Sequence, residues 1–200
     1  IVMVARQGKV AHFGTYGLRD REKNLPMEKD TIFRIFSMTK AITSVAALML
    51  EEDGKLNLND SISKYFPSLK KMKVLGRSGL VDPKREGTVA DLRRHTSGLT
   101  YGWSSHREIR EAHRNAGVLD RDKKLIPMVL GMSKVPLVFH PGSDWVYGCS
   151  TDVLGGVVEV ASGIPFDQFL KVRILEPLKM KDTDFYVPKG KVGRFAANYN

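Results

Sequence analysis

Ser37-Met38-Thr39-Lys40-Ala41-Ile42-Thr43-Ser44-Val45-Ala46-Ala47-Leu48-Met49-Leu50 is the stretch that decides the fold. It is apolar nearly all round, which predicts a buried and central helix. Glu51-Glu52-Asp53-Gly54 follows, with glycine as its stop. Ser37 and Lys40 stand at its mouth with two residues between them. That spacing puts two side chains on one helix face, about 5–6 Å apart at Cβ, so the amine reaches the hydroxyl directly or through one water. A hydroxyl nucleophile beside an amine base is the equipment of serine acyl transfer. Burial and the positive end of the helix dipole both disfavour an ammonium ion, so the Lys40 pKa is expected to fall toward neutrality. A capping serine followed by a snorkelling lysine is the purely structural alternative.

The same spacing recurs at Ser61-Ile62-Ser63-Lys64 and Ser68-Leu69-Lys70-Lys71. Both lie in polar stretches where a lysine stays hydrated and charged, so they are expected to be surface.

Upstream, Ile1–Arg6 and Lys9–Tyr16 are β-rich around Gln7-Gly8, which predicts a hairpin. A polar connection, Gly17–Asp30, leads to a short strand-like run, Thr31–Phe36. Downstream, Asp60–Phe66 ends at Pro67, and Thr88-Val89-Ala90-Asp91 offers a capping-box start for a helix ending near Gly98. Leu119–Met132 has helical spacing, Pro136–Gly142 breaks it, Asp152–Ser162 is an apolar helix stopped by Gly163, and another helix runs from Pro165 to about Leu175. Tyr147 sits on a loop just before the Asp152 helix, and loops held by rigid elements carry much of protein chemistry.

Lys and Arg number 32 against 22 Asp and Glu, a net charge of +10 in 200 residues. The basic residues of Lys70–Arg77, Arg107–Lys124 and Lys179–Arg194 are interspersed with acids and helix formers and carry no nucleic-acid-binding signature, so no nucleic-acid partner is expected. No apolar run approaches the roughly 20 residues of a membrane span. Cys149 is the single cysteine, which rules out an internal disulfide. As a catalytic nucleophile it lacks a histidine base in its neighbourhood, so it is expected to pack. His12, His95, His106, His113 and His140 form no H-E-x-x-H or tight cluster, so no metal and no cofactor is expected. His95 is expected to fix the turn after its helix. No G-x-S-x-G elbow supports an α/β-hydrolase.

Three further segments complete a combination: Leu92-Arg93-Arg94-His95-Thr96-Ser97-Gly98-Leu99, the Tyr147 loop with Gly148-Cys149-Ser150, and Asp152-Val153-Leu154-Gly155-Gly156-Val157-Val158-Glu159. Together with the Ser37 stretch and Ile174-Leu175-Glu176-Pro177-Leu178-Lys179-Met180, the sequence resembles the serine β-lactamase and penicillin-binding-protein superfamily. Within it, the class C β-lactamase-like esterases are the most similar subset. The resemblance implies an α/β (α+β) fold, an antiparallel sheet flanked by helices with a helical lobe. Residues 1–200 would be the front part of one domain: 1–55 the first hairpin and nucleophile helix, 56–146 the helical lobe, 147–200 the tyrosine loop and following helices.

The resemblance further implies that Ser37 is acylated, that Lys40 and Tyr147 share the proton transfer, and that the substrate is a small ester, amide or β-lactam. A phenol near its ordinary pKa of ~10 serves as base only beside a cation, which Lys40 supplies. Which of the two groups holds the proton is a property of the pair. At the substrate-binding position two residues after the tyrosine, where β-lactam-binding relatives have asparagine, stands Cys149, which offers no amide donors. That weakens a β-lactamase reading and favours a carboxylesterase, with a β-lactamase or D-amino-acid peptidase of the same superfamily as the alternative. The family's third motif, K-T-G, H-x-G or W-x-G on a later strand, has no counterpart: Lys191-Val192-Gly193 follows Tyr147 too closely and His12-Phe13-Gly14 precedes the nucleophile. Sheet strands beyond Asn200 are therefore expected, and the 200-residue piece alone is expected to be inactive or poorly folded. A non-catalytic receptor for penicillins or cell-wall peptides is the alternative of a different class.

Overall fold

In the computed structural model, which describes residues 1–118, 120 and 122–199, β1 (Val2–Arg6) and β2 (Lys9–Gly14) form the expected antiparallel hairpin, with an irregularity between Val4 and Ala5. Both turn residues have positive φ, Gln7 at 49° and Gly8 at 72°, the backbone that matches the twist of the flanking strands. The polar connection contains a second small pair, β3 (Leu18–Asp20) with β4 (Leu25–Pro26). Thr31–Phe36 is not a strand. Only Ile32 keeps a bridge, parallel to Phe195, and the chain turns left-handed at Phe36, with φ 42°. Arg194 holds the Asp182 carboxylate with two bonds of 3.0 and 2.8 Å. With Lys191 also bonded to it, that carboxyl lies far below the usual range. These segments, Ile1–Met38 with Lys179–Asn200, make one compact unit, and Thr39–Leu178 make the other.

In the second unit, α1 (Thr39–Glu52) buries Thr43, Ala46, Ala47 and Leu50 and leaves Val45 46% exposed. It is therefore one-sided rather than buried all round. Short 3-10 turns at Ile62–Lys64 and Pro67–Lys71 precede the pair β5 (Val74–Gly76) and β6 (Gly79–Val81). Then come α2 (Val89–Arg94), α3 (Arg107–Ala116), α4 (Leu125–Met132), α5 (Ser150–Ser162) and α6 (Phe166–Leu170), the last continuing as a π turn over Lys171–Leu175. The expected start of the fourth helix at Leu119 lies outside the described residues. α5 is the hub: α1, α2, α4 and α6 all pack on it. Val153, Leu154, Val157 and Val158 are fully buried there, each contributing about 1.5–3 kcal/mol by leaving water. No single helix among the described residues is long and apolar enough to cross a membrane.

The capping box forms as the sequence predicts. Asp91 N–H donates to Thr88 Oγ1, and the Asp91 carboxylate accepts the Thr88 N–H. The same carboxylate, wholly buried, also takes two bonds from Arg85 at 2.6 and 3.0 Å and one from Thr96. Burial pushes its pKa up, but these donors outweigh burial and hold it at about 2. α2 then ends not near Gly98 but on His95, which adopts the left-handed conformation (φ 58°, ψ 32°) and donates its N–H to Leu92 and Asp91 carbonyls.

Candidate active site

Ser37 lies exposed in a 3-10 turn, Phe36–Met38, and Thr39, the next residue in the chain, is the first of α1. Lys40 is in the first turn of α1 and half-buried. Its Nζ stands 3.4 Å from the Tyr101 hydroxyl, to which it donates, and 4.6 Å from the centroid of the Tyr147 ring. The ammonium thus has a phenol on two sides. Burial does pull the Lys40 pKa down, as its sequence position suggests. Hydrogen bonding to Tyr147 and the attraction of Tyr101 outweigh burial, and the net position is above that of an ordinary lysine. The expected fall toward neutrality is therefore corrected: Lys40 is an ammonium ion at neutral pH, because tertiary folding supplies it with acceptors that the local sequence does not reveal.

Tyr147 is delivered by the loop before α5, and the loop is pinned along the segment that follows α2. Gly142 N–H donates to Thr96 O at 2.7 Å, Val146 N–H to His95 O at 3.1 Å and Val138 N–H to Gly98 O at 3.0 Å. Ser97 and Ser150 join through their hydroxyls at 2.9 Å. At Gly148 a Cβ would sit 2.2 Å from Leu99 O and 2.4 Å from Thr100 Cα, so only glycine lets the two backbones approach this closely. The His95–Leu99 motif and the tyrosine loop are one piece of construction.

The rings around Lys40 form a continuous set. Tyr101 stacks on Trp103 at 4.2 Å and meets Tyr147 edge-on at 5.7 Å. Tyr147 stacks on His95 at 5.1 Å and lies 6.4 Å from Trp145. Trp103 and Trp145 are 69% and 60% exposed, unusual for the largest apolar side chains, which normally bury most of their surface. Tyr101, Trp103 and Trp145 were not singled out in the sequence. Tyr101 follows the His95–Leu99 motif by only two residues, and that proximity is the one signal that could have found it.

Cys149 is 1% exposed, and burial followed by the charge of Asp152 pushes its thiol far above the ordinary range. It packs before α5 and presents neither a thiolate nor a surface for a substrate. Asp152, in the first turn of α5, is solvent-exposed. Although its side chain reaches solvent, the protein packed around it strips water from the carboxylate and pushes its pKa up, and the Lys40 charge offsets part of this. Of the other two S-x-x-K runs, Lys64 is an exposed partner of Asp60 at 2.8 Å, and Lys71 is exposed. Among the described residues no three His, Cys, Asp or Glu side chains gather as metal ligands.

The family model of the β-lactamases matches residues 1–200. This chain belongs to the β-lactamase family. Esterase EstB of Burkholderia gladioli is 34% identical over 204 residues, covering all of this chain and half of that protein. Among solved structures, EstCE1, a hydrolase with promiscuous acyltransferase activity, superposes with a TM-score of 0.86 at 29% identity, covering 98% of this chain and 50% of the other. A class C β-lactamase superposes with a TM-score of 0.75 at 22% identity, covering 99% of this chain and 48% of the other. The expected α/β (α+β) class and serine β-lactamase-like fold are thereby established, with the antiparallel pairing among the described residues taking the form of small two-stranded sheets. The chain spans about half the length of the relatives it matches.

Proposed function

We propose that the protein is a serine hydrolase acting through a covalent acyl-enzyme, with carboxylic esters as its preferred substrates. Ser37 Oγ attacks the carbonyl carbon, and its proton passes through the Lys40 and Tyr147 pair to the leaving alkoxide, which departs as the alcohol. Water then adds to the acyl-enzyme, releases the carboxylic acid and returns the proton to Ser37. The observation that carries this reading is the Lys40 ammonium held between the phenols of Tyr101 and Tyr147, three positions after a serine at the mouth of a helix. A cation so placed stabilises a phenolate, which converts a weak base into one able to accept the serine proton.

Cys149 supports esters over β-lactams, because the position that would carry an amide donor holds a buried thiol. The kinship with an esterase and with a hydrolase that has promiscuous acyltransferase activity favours the same side. The test is a substrate panel on the full-length protein: short acyl p-nitrophenyl esters, nitrocefin and D-Ala-D-Ala peptides. Esters should be turned over with the highest kcat/KM, and nitrocefin winning by a wide margin would refute the preference. Binding of labelled penicillin without turnover of any substrate would instead favour a receptor.

A further inference from the structure

We propose that His95 is a positioning residue that holds the Tyr147 phenol against Lys40 through its backbone and its ring at once. The proposal rests on the reading of Tyr147 as a proton-transferring group. The C-terminal cap of α2 requires a left-handed residue, and glycine is the usual occupant because it alone adopts that backbone without steric cost. Here a histidine takes it, at φ 58°. Histidine is, with Asn and Asp, among the side chains that tolerate this backbone, and the surroundings of the ring show what the side chain does there.

The His95 carbonyl accepts the Val146 N–H at 3.1 Å. One residue further along, the His95 ring lies on the Tyr147 ring, 5.1 Å between centroids and 30° between planes. It also meets Trp145 at 6.2 Å and approaches the Thr151 hydroxyl with Nε2 at 3.5 Å. Consecutive residues of the loop are thus fixed by two different parts of one residue. A backbone bond at Val146 sets where the loop runs, and the ring contact sets how the phenol is turned. Lys40 Nζ, 4.6 Å from the same phenol ring, depends on that orientation. Burial and the nearby Lys40 charge lower the His95 pKa, so the imidazole is neutral at neutral pH and adds no second cation beside the ammonium. Small misplacements of a reacting group cost about 10²-fold in rate.

The experiment compares full-length wild type, His95→Gly, His95→Phe and Tyr147→Phe in ester hydrolysis, with rates normalised to the sites titrated by a fluorophosphonate. His95→Gly keeps the cap backbone and removes the ring. It should lower kcat about 10–100-fold, change KM less than about 3-fold, and leave Tm unchanged or raised. His95→Phe restores a flat ring and should recover kcat to within about 5-fold of wild type. Should His95→Gly not fold, His95→Asn, whose side chain tolerates positive φ, carries the same expectation. A purely structural residue would lower the folded fraction and leave kcat per titrated site unchanged, and that result overturns the proposal, as does a His95→Phe no faster than His95→Gly. Loss of rate in Tyr147→Phe without loss in His95→Gly overturns the role of His95 alone. A wild-type rate in Tyr147→Phe overturns the reading of Tyr147 and the proposal with it.

Discussion

Lys40 is where residue chemistry and folding meet. Its spacing from Ser37 is local and legible in the sequence, whereas its titration is not, because Tyr101 and Tyr147 reach it only in the folded chain. The pKa is raised, so its charge stabilises the fold at and below the unfolded lysine range and is lost only as pH rises through the higher folded value. At neutral pH it is therefore a cation rather than a free amine, and the proposed mechanism asks it to exchange a proton. Lys40→Arg keeps the charge but cannot release a proton, and it should lower kcat by about 10²–10⁴-fold with little change in Tm, measured by ester turnover and thermal melting. A Lys40→Arg enzyme as fast as wild type would mean that the charge alone suffices.

Elements with their own signals were legible. Gln7-Gly8 specified the hairpin, Thr88 and Asp91 specified a capping box, and Gly163 stopped α5 at φ 72°. Others were not. In α3 only Ile109, His113 and Ala116 are buried, and the surrounding charge hides their helical spacing. β3–β4 and β5–β6 are too short for alternation to register. Ser37-to-Leu50 reads as an all-round apolar helix because small residues such as Ala41 are equally at home on its exposed face. Tyr101 carries no periodic signal of its own, because loop position is decided by tertiary packing, not by spacing.

Two predictions belong to these elements. Asp91→Asn removes the charge that Arg85, Thr88 and Thr96 converge on. Because Arg85 is partly solvated, the cost should be about 2–3 kcal/mol rather than the ~3–5 of a fully buried pair, read from urea unfolding. Gly148→Ala drives a methyl into Leu99 O and Thr100 Cα. It should destabilise by about 1–3 kcal/mol and reduce turnover, since Tyr147 is the adjacent residue. Unchanged melting and kcat would contradict the close approach.

For the whole molecule, groups whose pKa values are shifted by the fold set the acid response. His95 and His113 have pKa values lowered from 6.5, by burial first in each case. The unfolded chain binds those protons more readily, so the stability from their neutral forms is complete above about pH 6.5 and is lost as pH falls through the lower folded values. Asp91, held at about 2 against 3.8, contributes about 2 kcal/mol above the unfolded value, lost as pH falls toward 2. Chemical denaturation across pH 7 to 2 should therefore show a first decline below pH 6.5 and a second below pH 4. A flat profile between pH 7 and 5 would count against neutral imidazoles at His95 and His113.

The most direct measurement is intact-mass spectrometry of the full-length protein treated with a fluorophosphonate or a slowly hydrolysed ester, followed by peptide mapping. One adduct per chain on Ser37, absent in Ser37→Ala and slowed in Lys40→Met, is the predicted result. An unmodified Ser37, or an adduct on any other residue that accounts for turnover, would contradict the assignment of the nucleophile.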